Sequence, residues 1–139
     1  MDSCIFCKII EKKIPAYILY EDACCIAFLD ASQATPRHTL IVPKVHVDNF
    51  LQANNETLSH LINLAQRIGI ALQQSNPQIM GMNLLSNCGI IAGQTVPHLH
   101  IHLIPRYREN DITISWTSHF GQLLPETLES LRQSIKKNL

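Results

Sequence analysis

Residues Thr95–Arg106 read T-V-P-H-L-H-I-H-L-I-P-R, with His98, His100 and His102 at a spacing of two and Leu99, Ile101 and Leu103 in the alternate places. In a strand, residues i, i+2 and i+4 share a face, about 6.5–7 Å from one to the next. The spacing therefore predicts a strand over Val96–Ile104, with the imidazoles in a row on one side and Leu99, Ile101 and Leu103 packed on a core. A half-buried strand does need polar residues on its open side, but serine, threonine or lysine would serve there. Three of the chain's seven histidines in register point instead to chemistry.

Around this row, other segments have strand character. Tyr17–Tyr20, Cys24–Leu29, Thr39–Pro43 and Met80–Ser86 are short, apolar or β-branched, and bounded by polar or proline-containing turns. Ile5–Lys12 reads as a short helix ended by Ile14-Pro15, because the residue before proline avoids helical angles. From Glu56 to Gln74 the period changes to that of a helix. Leu58, Leu61, Ile62, Ala65, Ile68, Gly69 and Leu72 line one face, with Asn55 as the expected N-cap. A last helix is expected from Pro125, with Leu124, Leu128, Leu131 and Ile135 on one side. Strands joined by short turns, plus one long helix and a C-terminal one, predict an α+β fold around an antiparallel meander of about five strands. With 139 residues and no repeat or linker, residues 1–139 are expected to form one domain.

Composition excludes several classes of function. Eleven basic and eleven acidic side chains cancel, and no basic run is present, so neither nucleic acid nor an anionic membrane is an expected partner. No stretch approaches the ~18–20 apolar residues of a membrane span. The start, M-D-S-C-I-F-C-K-I-I-E-K-K, places lysines after its apolar patch, the reverse of a secretory signal. With five cysteines, an odd number, the expectation is reduced thiols and a cytoplasmic location.

Two chemistries fit a histidine row. Two histidines at i and i+2 can hold a catalytic metal with a third ligand, but no Asp or Glu lies between Glu56 and Glu109 to supply a nearby carboxylate. Alternatively, a neutral imidazole attacks phosphorus or carbonyl carbon, while its neighbours bind anionic oxygens. The preceding loop, N-C-G-I-I-A-G-Q-T over Asn87–Thr95, favours the second. Gly89 and Gly93 let backbone N–H groups approach a phosphate, and Gln94 and Thr95 add side-chain donors. Cys4 and Cys7 form a C-x-x-C pair that reads either as a redox couple or as half of a zinc site. Only three residues precede Cys4, so the strand that a thioredoxin arrangement needs has no room.

The string N-C-G-I-I-A-G-Q-T-V-P-H-L-H-I-H-L-I-P-R resembles the histidine-triad motif of the HIT family of nucleotide hydrolases and transferases, in the form common in the bacterial Hint-like branch. C-I-A-F-L-D-A-S-Q-A-T-P-R-H-T-L-I-V-P-K-V-H and I-F-C-K-I-I-E-K-K-I-P-A resemble its two upstream blocks, so the likeness spans most of Cys4–Arg106. It implies hydrolysis of a purine nucleotide derivative of AMP or GMP at its α-phosphate, through a nucleotidyl-histidine. Mapped onto this chain, His100 would be the nucleophile and His102 would contact the α-phosphate and the scissile atom. His38 would support the triad, and Thr95 would belong to the same catalytic group. Asn87, Gly93, Gln94 and Thr95 would line the phosphate site, and Asp30 would accept from both ribose hydroxyls. Ile5, Phe6, Ile9, Phe28 and Leu40 would form the slot for the base. From their types alone, Asp30 would open a turn with Ser32, and the apolar residues would be core.

The same resemblance implies a structural zinc on Cys4, Cys7, His46 and His98, closed and tetrahedral, with no catalytic metal. It also implies a homodimer joined through the long helix and an edge strand. Two other readings stay open: a nucleotide-binding scaffold with little turnover, and a zinc hydrolase using the triad as ligands. Arg37 departs from the pattern, standing where glycine or a small polar residue often precedes the histidine. Residues 107–120, and His60 and His119, carry no assignable motif. The leaving group therefore stays open among phosphoramidates, dinucleoside polyphosphates and nucleotidyl sulfates.

Overall fold

Alternating side chains build a sheet with two apolar faces. In the computed structural model, which describes residues 3–139, β1 (Ile18–Glu21), β2 (Cys25–Leu29) and β3 (Thr39–Pro43) follow a short helix α1 (Ile5–Ile10). The long helix α2 (Asn55–Ser75) leads to β4 (Gly81–Leu85), and a single 3-10 turn (Ile90–Ala92) precedes β5 (Ile101–Arg106). Cys25, Ala27, Ile41, Leu99, Ile101 and Leu103 point to one side, where Leu61, Leu64, Ala65 and Leu72 of α2 cover them. Ile26, Phe28, Leu40 and Val42 point to the other, beneath Cys4, Phe6 and Ile9. Each large aliphatic side chain buried this way contributes about 1.5–3 kcal/mol.

The strand order is β1-β2-β3-β5-β4, antiparallel throughout, and this corrects the expected meander. The reason lies in α2, which carries the chain across the sheet and delivers β4 at the outer edge. β3 and β4 thus run parallel, and β5 fills the gap between them. The histidine strand is also shorter than expected. Ladder pairing starts at Ile41↔Ile101, so His98 and His100 precede β5 and only His102 lies within it. Pro43 and Pro97 have no N–H to continue the ladder, and the Pro43 carbonyl is taken by the His98 ring instead. The facing still alternates as the sequence implies, with Leu99, Ile101 and Leu103 on the α2 side.

Smaller differences have local causes. α1 ends at Ile10 rather than Lys12, because Lys12 takes a left-handed φ of 63°. The α2 cap is Asn54 rather than Asn55: its side chain accepts from the Thr57 N–H at 2.8 Å. α3 (Pro125–Lys136) starts at the expected proline, but its apolar stripe of Leu128, Leu131 and Ile135 is exposed. Among the described residues, no helix is long and apolar enough to cross a membrane.

The turn before β3 aims a histidine. Asp30 N–H donates to the His38 carbonyl and His38 N–H to the Thr35 carbonyl, at 2.9 and 3.1 Å, closing a tight loop. That closure puts Arg37 at φ 75°, a region costing most side chains about 1–2 kcal/mol and glycine none. This explains why a glycine would suit the position. Arg37→Gly is expected to raise unfolding stability by about 0.5–1 kcal/mol, the strain relief less the added freedom of the unfolded chain. Urea denaturation of the variant beside the parent measures it.

Candidate active site and metal-binding cluster

Register assembles the floor of the site. Phe28 pairs with Leu40 and Leu40 with His102, so these side chains form one row across β2, β3 and β5. Over this row lies α1, whose Phe6 ring meets Phe28 edge-on at 5.7 Å, His98 at 6.0 Å and His100 at 5.0 Å. Phe6, Ile9, Phe28 and Leu40, all expected in the base slot, are buried together, whereas Ile5 is 44% exposed at the rim.

Hydrogen-bond partners assign the proton on each ring, because a neutral imidazole has one donor and one acceptor. Ala34 N–H donates to His38 Nδ1 at 3.1 Å, so the His38 proton sits on Nε2. That Nε2–H donates to His102 Nδ1 at 2.9 Å, which leaves His102 with its proton on Nε2. His100 Nδ1–H donates to the His98 carbonyl at 2.7 Å, leaving an unprotonated Nε2 lone pair. His98 Nε2–H donates to the Pro43 carbonyl at 2.8 Å, so its Nδ1 lone pair faces Cys4 and Cys7. The row thus presents a bare nitrogen on His100 beside an N–H on His102, their rings 4.9 Å apart.

Burial keeps these rings neutral. It lowers the pKa of His38, His98 and His100, and with the neighbouring His100 and His38 it lowers that of His102 to about 4. Asp30 stands beside them. Burial works to raise its carboxyl, but the Ser32 hydroxyl and N–H on Oδ1 outweigh it and hold the group below its usual range. Its Oδ2 lies 3.8 Å from His38 Nε2, outside hydrogen-bond range. The turn contacts to Ser32 therefore use Oδ1, while Oδ2 is the oxygen on the His38 side.

The loop residues divide. Asn87 Nδ2 donates to the Gly93 carbonyl at 3.2 Å, holding the loop closed while Gly89 and Gly93 take φ 90° and 92°. Gln94 is buried and committed at both ends, its Oε1 to Gly89 N–H at 2.8 Å and its Nε2 to the Asp48 carbonyl at 2.5 Å. It braces the loop, leaving Thr95, which is exposed, as the loop hydroxyl with no partner among the described residues. Thr95 borders a cleft of about 340 Å³ with Ser3, Cys4, Ile5, His46 and Asp48, on the thiol side of the row. Pro43, Ala34, Ser86 and Asp48 escaped the sequence reading. Pro43 and Ala34 use main-chain groups, Asp48 its carbonyl as well as its carboxylate, and the Ser86 hydroxyl donates to the His100 carbonyl at 2.7 Å.

Cys4, Cys7, His46 and His98 bring their donor atoms within 4.8 Å of one another. The Cys4–His98, Cys7–His46 and Cys7–His98 sulfur–nitrogen distances are 3.4, 3.2 and 3.6 Å. A tetrahedral ion with bonds of about 2.3 Å to sulfur and about 2.05 Å to nitrogen needs that edge to be about 3.5 Å. Both rings offer Nδ1: His98 gives Nε2–H to Pro43, and Asp48 Oδ1 stands 3.4 Å from His46 Nε2. These residues fit a closed Cys2His2 cation site.

A different gathering accounts for His60. Its Nε2–H donates to Asp22 Oδ2 at 2.8 Å, tying α2 to the β1–β2 turn. Asp22 also accepts from Tyr20 OH and from the N–H groups of Cys24 and Cys25. Its four acceptor sites are filled, so we read it as a structural hub.

The neutral rings give acid sensitivity. Above about pH 6.5 His102 is uncharged in both folded and unfolded chains. Below it the unfolded chain takes a proton that the folded one resists down to about pH 4. The contribution of the neutral His102 ring to stability is therefore fully present well above pH 6.5 and falls as pH drops toward 4. His102→Asn, which keeps an acceptor for His38, is expected to make that fall shallower by up to about 1.4 kcal/mol per pH unit. Denaturant unfolding of parent and variant from pH 7.5 to 4.5 reads the difference, and His102 is not among the four cation donors.

Comparison with known proteins agrees with this geometry. Residues 11–109 match the HIT domain model. "Protein hit" of Bacillus subtilis is 40% identical over 139 residues, covering 99% of this chain and 95% of that protein. An adenosine 5'-monophosphoramidase of Schizosaccharomyces pombe is 33% identical over 138 residues, covering 99% and 98%. The crystal structure of a HIT family protein from Bacillus anthracis superposes with a TM-score of 0.92 at 42% identity, covering 99% of this chain and 98% of that one. With the triad row, the two-faced sheet and these relatives together, the chain belongs to the HIT family, the histidine-triad proteins.

Proposed function

We propose that this chain hydrolyses purine nucleotide derivatives, phosphoramidates or dinucleoside polyphosphates, at the α-phosphate through a nucleotidyl adduct on His100. The observation that carries it is the tautomer pattern: an unprotonated Nε2 on His100, backed by the His98 carbonyl, beside the His102 Nε2–H. The His100 lone pair bonds to phosphorus, and the leaving group departs with its electron pair and takes a proton from solvent. The His100 ring, now cationic, keeps its Nδ1–H on the His98 carbonyl. Water then displaces the ring and releases the nucleoside monophosphate. His102, with its pKa near 4, is neutral at pH 7 and serves as a hydrogen-bond donor to phosphoryl oxygen or the scissile atom rather than as an acid. His38 positions His102, Asp30 Oδ2 receives the ribose, and Phe6, Ile9, Phe28, Leu40 and Ile5 hold the base. Thr95, Asn87 and the Gly93 backbone line the phosphate side, with Gln94 bracing them. The phosphoramidase name of the fission-yeast relative supports the phosphoramidate class.

The Cys4, Cys7, His46 and His98 site fits zinc, which we assign as structural: bound, it would cross-link α1 to the sheet. No step of the chemistry passes through it. We also infer a homodimer, because Ile62 and Ile70 of α2 and Leu84 of the edge strand β4 form an exposed apolar strip.

His100→Ala is expected to lower hydrolysis of an adenosine phosphoramidate at least about a thousandfold. Mass analysis of acid-quenched parent should show a nucleotidyl group on His100. Unchanged turnover in the variant would refute the nucleophile, and AMP binding without turnover in the parent would favour the scaffold reading. Zinc removal is expected to lower Tm by about 5–10 °C without abolishing turnover at saturating substrate. Immediate loss of turnover on adding chelator to folded enzyme would point to the triad as metal ligands.

A further inference from the structure

His98 belongs to two sites at once. Its ring Nδ1 faces Cys4 and Cys7 at 3.4 and 3.6 Å, while its main-chain carbonyl accepts the His100 Nδ1–H at 2.7 Å. It is wholly buried, and its Nε2–H is fixed on the Pro43 carbonyl, so ring and carbonyl move together. Phe6 makes a second link. It sits on α1 between the two thiols and lies edge-on to the His98 and His100 rings and to Phe28 of the base slot.

Helix α1 has little else to hold it. Six residues are far below the length that is stable alone. Among the described residues, no main-chain hydrogen bond ties α1 to the sheet. Side-chain packing and the thiol–imidazole contacts are its anchors. Anything that tightens the four donors tightens the wall of the base slot and the carbonyl that aims the nucleophile.

We propose that the Cys4/Cys7/His46/His98 cluster positions the catalytic row, so that cation and nucleoside monophosphate bind with positive cooperativity through Phe6 and the His98 carbonyl. The proposal rests on the nucleotide site argued above. By reciprocity, each ligand raises the affinity of the other by the same factor. That factor is expected to be about tenfold, within the usual range of such couplings.

The test uses AMP as the nucleotide and Zn2+ or Co2+ as the cation. Calorimetry should show AMP binding about tenfold weaker to stripped protein that circular dichroism shows to be folded. When AMP is saturating, about tenfold more chromophoric chelator should be needed to extract the same fraction of Zn2+. Phe6→Leu, which keeps all four donors, should reduce both factors to about two or less. Where stripping unfolds the chain, the Co2+ form replaces that arm: its visible absorption should shift on AMP titration, with the midpoint found by calorimetry. AMP binding with an unchanged Co2+ spectrum, or equal AMP affinity with and without cation, overturns the coupling and leaves the nucleotide site standing. Failure of the cation-loaded protein to bind AMP overturns both.

Discussion

Burying imidazoles governs this molecule. A neutral ring carries one N–H and one lone pair, and away from water each needs a partner. His38, His98 and His100 are buried and His102 half-buried on the α1 face of the sheet. Among the described residues no buried side-chain nitrogen or oxygen lacks a partner. The partners are mostly main chain: the Ala34 N–H and the carbonyls of Pro43 and His98. Because the backbone supplies them, the sheet and its turns decide which nitrogen of each ring stays bare. The proton pattern is a property of the fold as much as of the side chains.

That dependence explains what could be read from the chain and what could not. The period of two over Thr95–Arg106 gave the facing of all three histidines, since alternation survives even where ladder pairing stops before Ile101. The 3.6-residue period made α2 legible to within one residue at its start, where two neighbouring asparagines compete for the cap. Strand order was not legible, because nothing local records that β5 enters between β3 and β4. The donor chemistry of Gln94 is legible in the sequence, but its partners, the Gly89 N–H and the Asp48 carbonyl, are main-chain groups without a side-chain signature. The C-x-x-C pair was visible locally. Its completion by His46 and His98 follows only from the family likeness or from the fold, which brings residues far apart in sequence together.

The two faces of the sheet divide the work. On the α2 side, Leu61, Leu64, Ala65 and Leu72 pack on Cys25, Ala27, Ile41 and Leu103, a mainly aliphatic layer with the Asp22–His60 tie at its edge. On the α1 side, aromatic and imidazole rings replace much of the aliphatic packing, and a six-residue helix replaces a long one. The longer helix and the larger aliphatic cluster lie on the first face, the short helix and the imidazoles on the second. Such a division would suit the nucleotide site proposed beneath α1, which could admit a ligand without loosening the main core.

The carbonyl behind His100 has an energetic consequence. A carboxylate in that place would strongly stabilise the cationic ring of a phosphorylated imidazole and would deepen the well of the adduct. The uncharged oxygen of His98 holds the same geometry with a weaker electrostatic pull. In the reaction proposed above, the phosphorus–nitrogen bond on His100 would be left more electron-poor and a better target for water. A covalent well of that depth would spend little time filled, favouring release over storage of the nucleotidyl group.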